Sequence, residues 1–194
     1  RRRGLDDKTI VRFGLGYAPN DGQALYQFLR DKGYNQQELD ASGLFKRSPS
    51  GRIYCLFWKR VMTPIFDLRG NIIAFGGRVL DDSKPKYVNS PETLVYHKSE
   101  TVFALQIAKR SASRRFVLCE GYMDVISMQQ AGIDTAVCAC GTALTPDQVR
   151  LISEYADEVI LSYDSDEAGQ KATLRSLELF RNSPVKVGVL QIPG

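Results

Sequence analysis

The clearest pattern of apolar and polar positions begins at residue 116. Phe116-Val117-Leu118-Cys119 is a short apolar run of strand type, followed at helical spacing by Tyr122, Val125 and Ile126 until Gly132 stops the helix. Thr135-Ala136-Val137-Cys138 predicts a second strand. Thr145-Pro146-Asp147-Gln148 then opens a helix with a capping box and Pro at its first position, and Val149, Ile152 and Ala156 form its apolar face. Glu158 to Tyr163 reads as a third strand, a helix carrying Leu174, Leu177 and Phe180 follows, and Val185 to Ile192 reads as a fourth strand. Alternating strands and helices favour a parallel sheet with right-handed crossovers and helices on its faces. Ligands of open parallel sheets sit just past the carboxyl ends of the strands.

The first half is less regular. Asn20-Asp21 caps a predicted helix that runs to Lys32 and ends at Gly33, and a short helix spans Gln36 to Ala41. Val61 to Phe66, a turn over Asp67 to Asn71, and Ile72 to Phe75 predict a β-hairpin. A helix is expected from about Ser99 to Lys109, and Arg110-Ser111-Ala112-Ser113-Arg114 marks a boundary. The expected fold class is therefore α/β, with a mixed N-terminal subdomain over residues 1–112 and a mainly parallel sheet flanked by helices over residues 113–194.

Composition narrows the classes. The chain has 194 residues, 43% hydrophobic and 25% charged, as in ordinary globular proteins. Its longest apolar run, Ile53 to Trp58, is far shorter than the ~20 residues of a membrane span, and no apolar stretch follows the basic start Arg1-Arg2-Arg3 in the manner of a signal peptide. A non-membrane, cytoplasmic protein is expected. The chain does not begin with Met and stops at Pro193-Gly194 just after an apolar run, so it is expected to be a fragment. The four cysteines, Cys55, Cys119, Cys138 and Cys140, lack the C-x2-C spacing of a zinc site, and three lie in apolar runs, which predicts reduced, packed thiols. Charge is segregated: residues 1–112 carry 19 Lys and Arg against 11 Asp and Glu, and residues 113–194 carry 7 against 11. A basic half beside an acidic half points to polyanion binding next to cation binding, although a solvated face has the same composition.

Acidic residues stand where the sheet rule directs attention. Glu120 directly follows the first strand of the second half, ahead of Gly121 and Asp124, and Asp164 and Asp166 follow the third strand. Gly121 is expected to let the backbone turn sharply and keep bulk away. Carboxylates converging from two strand ends need a cation, and hard oxygen ligands select Mg²⁺ or Mn²⁺, which bridge carboxylates and substrate phosphates. Taken alone, Asp164 or Asp166 reads equally well as the N-cap of the following helix, and Glu120 as a surface loop residue.

Glu120-Gly121-Tyr122-Met123-Asp124, Cys140-Gly141-Thr142-Ala143-Leu144-Thr145 and Tyr163-Asp164-Ser165-Asp166-Glu167-Ala168-Gly169 together resemble the TOPRIM domain of bacterial replicative primases. In the first half, Arg12 to Pro19, Arg60 to Ile65, Ile73 to Arg78, Pro85 to Pro91 and His97-Lys98 resemble the RNA-polymerase core of the same family, in matching order. The TOPRIM motifs are shared with topoisomerases, nucleases and recombination proteins, whereas the N-terminal set is much more specific to primases. Ser165 stands where the family often has Gly, and Cys140 where other apolar residues are usual; neither change removes a ligand.

The resemblance implies short RNA primer synthesis on single-stranded DNA from ribonucleoside triphosphates, by metal-dependent nucleotidyl transfer with Mg²⁺ or Mn²⁺. It implies metal and catalytic roles for Glu120, Asp164 and Asp166, with Glu120 as general acid/base and Asp124 in support. A helix-surface carboxylate remains open for Asp124. Arg12, Lys86, Tyr87, Asn89 and Lys98 match nucleotide-contacting positions, and Arg60 and Arg78 match template-groove positions. Singly, each cation also reads as a solvated surface charge, and Tyr87 as a packing residue. The family's zinc-binding domain and the region that binds the replicative helicase are not in this sequence, and a further acidic motif is expected beyond its end. The alternative reading is another TOPRIM metal-dependent enzyme, a nuclease or topoisomerase; a binding module with structural acids is a third.

Overall fold

The computed structural model describes residues 4–141 and 143–190, so Arg1 to Arg3, Thr142 of the C-G-T-A-L-T motif and the end of the expected strand at Ile192 lie outside the described residues. In chain order the elements are α1 (Asp7–Phe13), β1 (Gly16–Ala18), α2 (Ala24–Asp31), α3 (Gln36–Ala41), β2 (Phe45–Arg47), β3 (Ile53–Cys55), β4 (Arg60–Phe66), β5 (Ile72–Val79) and β6 (Tyr87–Asn89). They continue with β7 (Val102–Phe103), α4 (Leu105–Ala108), β8 (Arg115–Cys119), α5 (Tyr122–Gln130), β9 (Ala136–Ala139), α6 (Pro146–Ser153), β10 (Glu158–Ser162), α7 (Glu167–Phe180) and β11 (Lys186–Val189). Two compact units result: one holds residues 10–65 and 72–97, the other residues 4–9, 66–71 and 98–190.

The second unit is built on a five-stranded sheet of order β11-β10-β8-β9-β7. Among the described residues, β11, β10, β8 and β9 run parallel and the edge strand β7 alone is antiparallel. This is the mainly parallel sheet the alternation predicts. Its core draws Phe116, Leu118, Val137, Val159 and Leu161 from the strands and Val149, Ile152, Ala156 and Phe180 from the helices. Burial of such side chains contributes roughly 1.5–3 kcal/mol each before entropy is set against it. β7 is a departure, because Val102 and Phe103 lie in the stretch read as the start of a helix. They pair with Ala139 and Cys138, and Ala104, at φ 64°, breaks the chain before α4. Leu174 and Leu177 also depart from expectation: they are exposed, while Gly169, Ser176 and Phe180 are the buried residues of α7.

The first unit carries a sheet of order β1-β4-β5-β6 and the β2–β3 hairpin. Asp21 Oδ1 accepts the backbone N–H groups of Gln23 and Ala24 at the start of α2, and Asn35 with Glu38 closes a capping box on α3. The β4–β5 turn, whose residues 66–71 count with the second unit, closes on Asp67, whose carboxylate accepts N–H groups from Arg69 and Asn71. Cys55, Leu56 and Phe57 form the centre of an apolar cluster with Leu25, Phe45, Met62, Phe75 and Val88. All four cysteines are buried, the three that lie in apolar runs as predicted and the fourth with them. Among the described residues, no helix is long and apolar enough to cross a membrane.

Candidate nucleotidyl-transfer site

Parallel pairing of β8 with β10 puts Cys119 opposite Ser162, so the residues that follow leave the sheet side by side. Glu120 Oε2 accepts the backbone N–H of Asp164 at 3.2 Å. The two motifs, 44 residues apart in sequence, thus meet at one sheet edge, and both carboxylates are solvent-exposed.

The loop after β10 is pinned at both ends. Before it, the Tyr163 hydroxyl is 3.0 Å from that of the buried Ser176 on α7, and burial pushes the Tyr163 phenol pKa up. After it, Asp166 is the N-cap of α7: its Oδ1 accepts the Gly169 N–H at 2.8 Å. Gly169 is required there for space, since a Cβ would lie 2.0 Å from the Asp164 carbonyl oxygen. The cap that a lone D-x-D equally allows is therefore present, and Asp166 commits one oxygen to it.

Asp124 is the N3 residue of α5, and its Oδ2 accepts the Gly121 N–H at 3.0 Å, a helix-capping contact. Gly121 differs from expectation. Its backbone is extended, with φ −141° and ψ 169°, which any residue adopts, so no sharp turn calls for glycine.

The acids offer only hard oxygen donors. Glu120 and Asp164 suit an ion such as Mg²⁺, which is bound by one or two carboxylates and keeps waters or phosphates in its other positions. Among the described residues no group of three or more His, Cys, Asp or Glu side chains is gathered as a ready cage. The donor set fits a substrate-completed ion and does not form an all-protein site.

Lys98 lies in the same unit. Sequence reasoning missed what holds it: the fully buried Gln148 donates from Nε2 to the carbonyls of Lys98 and Thr101, both at 2.8 Å. Its Oε1 meanwhile accepts the Thr145 N–H of the capping box. The signal for the box was readable in the sequence; its grip on the distant 98–101 segment was not.

In the other unit, Arg12 is exposed in the last turn of α1. Lys86, Tyr87 and Asn89 lie on or just before β6, which pairs with β5 so that Arg78 faces Tyr87 and Gly76 faces Asn89. The Arg78 guanidinium stacks over the half-exposed Tyr87 ring at 5.4 Å. Arg60, expected at the template, is only 4% exposed. Its guanidinium donates to the carbonyls of Pro85 at 2.8 Å, Lys86 at 3.3 Å and Gly77 at 3.4 Å, and burial lowers its pKa. It anchors the segment that carries Lys86 and Tyr87, and its two terminal nitrogens donate to backbone instead of solvent.

Comparison with known proteins bears on this arrangement. The family model described as DNA primase catalytic core, N-terminal domain, matches residues 1–109, and a Toprim-like model matches residues 117–194. DNA primase of Clostridium acetobutylicum is 46% identical over 192 residues, covering 98% of this chain and 32% of that protein. DNA primase of Escherichia coli is 40% identical over 179 residues, covering 91% of this chain and 31% of that protein. The chain thus spans about a third of the length of these relatives. Among solved structures, the E. coli primase catalytic core superposes with a TM-score of 0.89 at 38% identity, covering 99% of this chain and 63% of that one. A DnaG primase catalytic domain bound to ssDNA gives 0.88 at 37% identity, with 99% and 64% coverage. With more than half of its length matched by the primase model and its motifs in the same order, this chain belongs to the DNA primase catalytic core family.

Proposed function

We propose that the chain is the RNA-polymerising core of a primase, joining ribonucleotides into short RNA primers on single-stranded DNA by metal-dependent nucleotidyl transfer. The observation that supports this most directly is the meeting of Glu120 with Asp164 at adjoining strand ends in a chain of this family. Glu120 and Asp164, which meet at the strand ends, would hold Mg²⁺ or Mn²⁺, joined by the Asp166 oxygen that does not cap α7, and the ion would lower the cost of charge building on the attacking and leaving oxygens.

Glu120 is assigned the proton of the primer 3′-hydroxyl, since an exposed carboxylate at this edge is poised to accept it as the oxygen attacks the α-phosphate. The leaving group is pyrophosphate. Asp124 holds the start of α5 and so the backbone beside Glu120. Arg12, Lys86 and Lys98 are assigned to the triphosphate, Arg as a bidentate fork and Lys as point charges. Asn89 is assigned to the sugar or base, Tyr87 to a base face, and Arg78 to template phosphate. Arg60 acts on the template indirectly, through the 85–87 segment.

On this reading residues 1–112 form the template- and nucleotide-binding subdomain, and residues 113–194 carry the metal-binding acids. The longer protein works in the bacterial cytoplasm with the nucleoid and engages the replicative helicase through a region outside this sequence, as it carries its zinc outside this sequence. The test incubates the full-length natural protein with single-stranded DNA, labelled ribonucleotides and Mg²⁺ or Mn²⁺. Short labelled RNA that depends on template and metal is the expected result. Strand cutting without RNA synthesis would move the assignment to a nuclease or topoisomerase.

A further inference from the structure

The turn between β3 and β4 alternates sharply in burial. Phe57 is 3% exposed, Trp58 43%, and Arg60 4%. Lys59, between them, has φ 51°, a left-handed conformation that costs a residue with a Cβ on the order of 1 kcal/mol or more and persists only where neighbours impose it. Here they do. The Lys59 N–H donates to the Pro19 carbonyl at 3.1 Å, and its ammonium pairs with Asp81 at 2.8 Å. Phe57 and Arg60 both press against Gly77, where a Cβ would come 2.7 Å from the Phe57 ring and 3.0 Å from Arg60 Cδ.

This fixed turn holds out the only tryptophan of the chain. The indole touches Tyr54 edge-on, with ring centroids 6.3 Å apart and planes at 78°. A large apolar side chain left at the surface forgoes part of the stabilisation that burial would bring, and here a strained turn displays one beside cations and a second exposed aromatic ring. The Asp81 and Gly77 contacts tie the turn to the end of β5, where Arg78 stacks on the half-exposed Tyr87 and Lys84 and Lys86 are exposed. Residues 10–65 and 72–97 carry 11 Lys and Arg against 7 Asp and Glu. Aromatic faces interleaved with cations make up the surfaces on which single strands lay their bases and phosphates.

We propose that Trp58 is a base-stacking residue, its indole face receiving one unstacked base of single-stranded nucleic acid. The choice of a DNA strand as ligand rests on the polymerase reading above. The test titrates Trp58 fluorescence with an oligo(dT) strand and with an abasic strand of equal length and charge, at fixed salt. Quenching by oligo(dT) and not by the abasic strand is expected. Trp58→Ala weakens oligo(dT) binding about tenfold, leaves the salt dependence of binding unchanged because no counterion-releasing charge is lost, and W58F recovers part of the affinity. Thermal melting of both variants checks the fold.

Binding by wild type with silent fluorescence, or full affinity in W58A, overturns the stacking role while leaving the polymerase reading in place. If W58A binds DNA like wild type but loses self-association in sedimentation, the residue belongs to a protein contact and the proposal is likewise overturned. A wild type that binds no oligonucleotide overturns both.

Discussion

Glu120 Oε2 lies 3.2 Å from the backbone nitrogen of Asp164, so one carboxylate oxygen bridges two strand ends. Glu120→Gln keeps an amide oxygen that can accept the same N–H, yet removes the charge and the capacity to take a proton. Primer synthesis should fall by about 10²–10⁴-fold, the usual contribution of a positioned general base, with a melting temperature close to wild type. Quantifying labelled primers and a thermal melt on one preparation checks both halves. Near-normal synthesis by E120Q would remove Glu120 from the chemistry.

Asp166 is the N-cap of α7, through Gly169, as well as a proposed ligand, and two substitutions separate these roles. Asn caps a helix about as well as Asp, so Asp166→Asn should leave stability unchanged while abolishing metal-dependent synthesis. Asp166→Ala should lose both, with about 1 kcal/mol of stability gone with the cap. Urea unfolding midpoints set beside primer yields give the answer. Wild-type activity in D166N would leave Asp166 a structural cap.

Much of the fold is legible in local signals along the chain. The Thr145–Gln148 capping box, the short helix from Gln36 to Ala41 and the strand-helix alternation from residue 116 each depend on residues close in sequence, and they form as read. Local spacing could not show where a side chain goes once the chain is folded. Val102 and Phe103 look helical until Cys138 and Ala139 offer a strand edge. Arg60 looks like a surface cation until carbonyls from Gly77, Pro85 and Lys86 close around it. Leu174 and Leu177 follow helical spacing, but the face of α7 that packs is the one carrying Gly169, Ser176 and Phe180. The two acidic motifs could be found in sequence, and the sheet rule offered a reason to bring them together, but only the β8–β10 register makes Glu120 and Asp164 neighbours.

Arg60 provides a test of indirect action. Its fork spans three carbonyls, a pattern an ammonium cannot reproduce, so Lys should substitute poorly. Arg60→Met leaves those acceptors without their donor and should destabilise the protein by about 1–3 kcal/mol. Loosening the 85–87 segment should raise KM for the ribonucleotide more than it lowers kcat in both R60K and R60M. The salt dependence of template binding should stay at the wild-type slope, because no phosphate contact is lost. Steady-state kinetics and a salt titration measure these; a reduced slope would mean that Arg60 touches the template directly.

Cys119 ends β8 immediately before Glu120, with its Sγ 3.4 Å from Met128 Sδ. Burial, and secondarily the negative charge of Asp124, pushes its pKa up to about 12. In the unfolded chain a thiol ionises near about 8.5. The folded state therefore holds this proton more tightly, and the contribution to stability is complete below the unfolded pKa. As pH rises, the unfolded chain ionises first and the contribution drains away, until it is gone at the folded pKa. Cys138, raised chiefly by its own burial, acts in the same direction. The wild-type melting temperature should fall between about pH 8.5 and pH 12. Cys119→Ala should fall less over that window, and C119A/C138A less again. Melting curves at half-unit pH steps measure the slope; equal slopes for wild type and C119A would mean that this thiol ionises as readily in the fold as outside it.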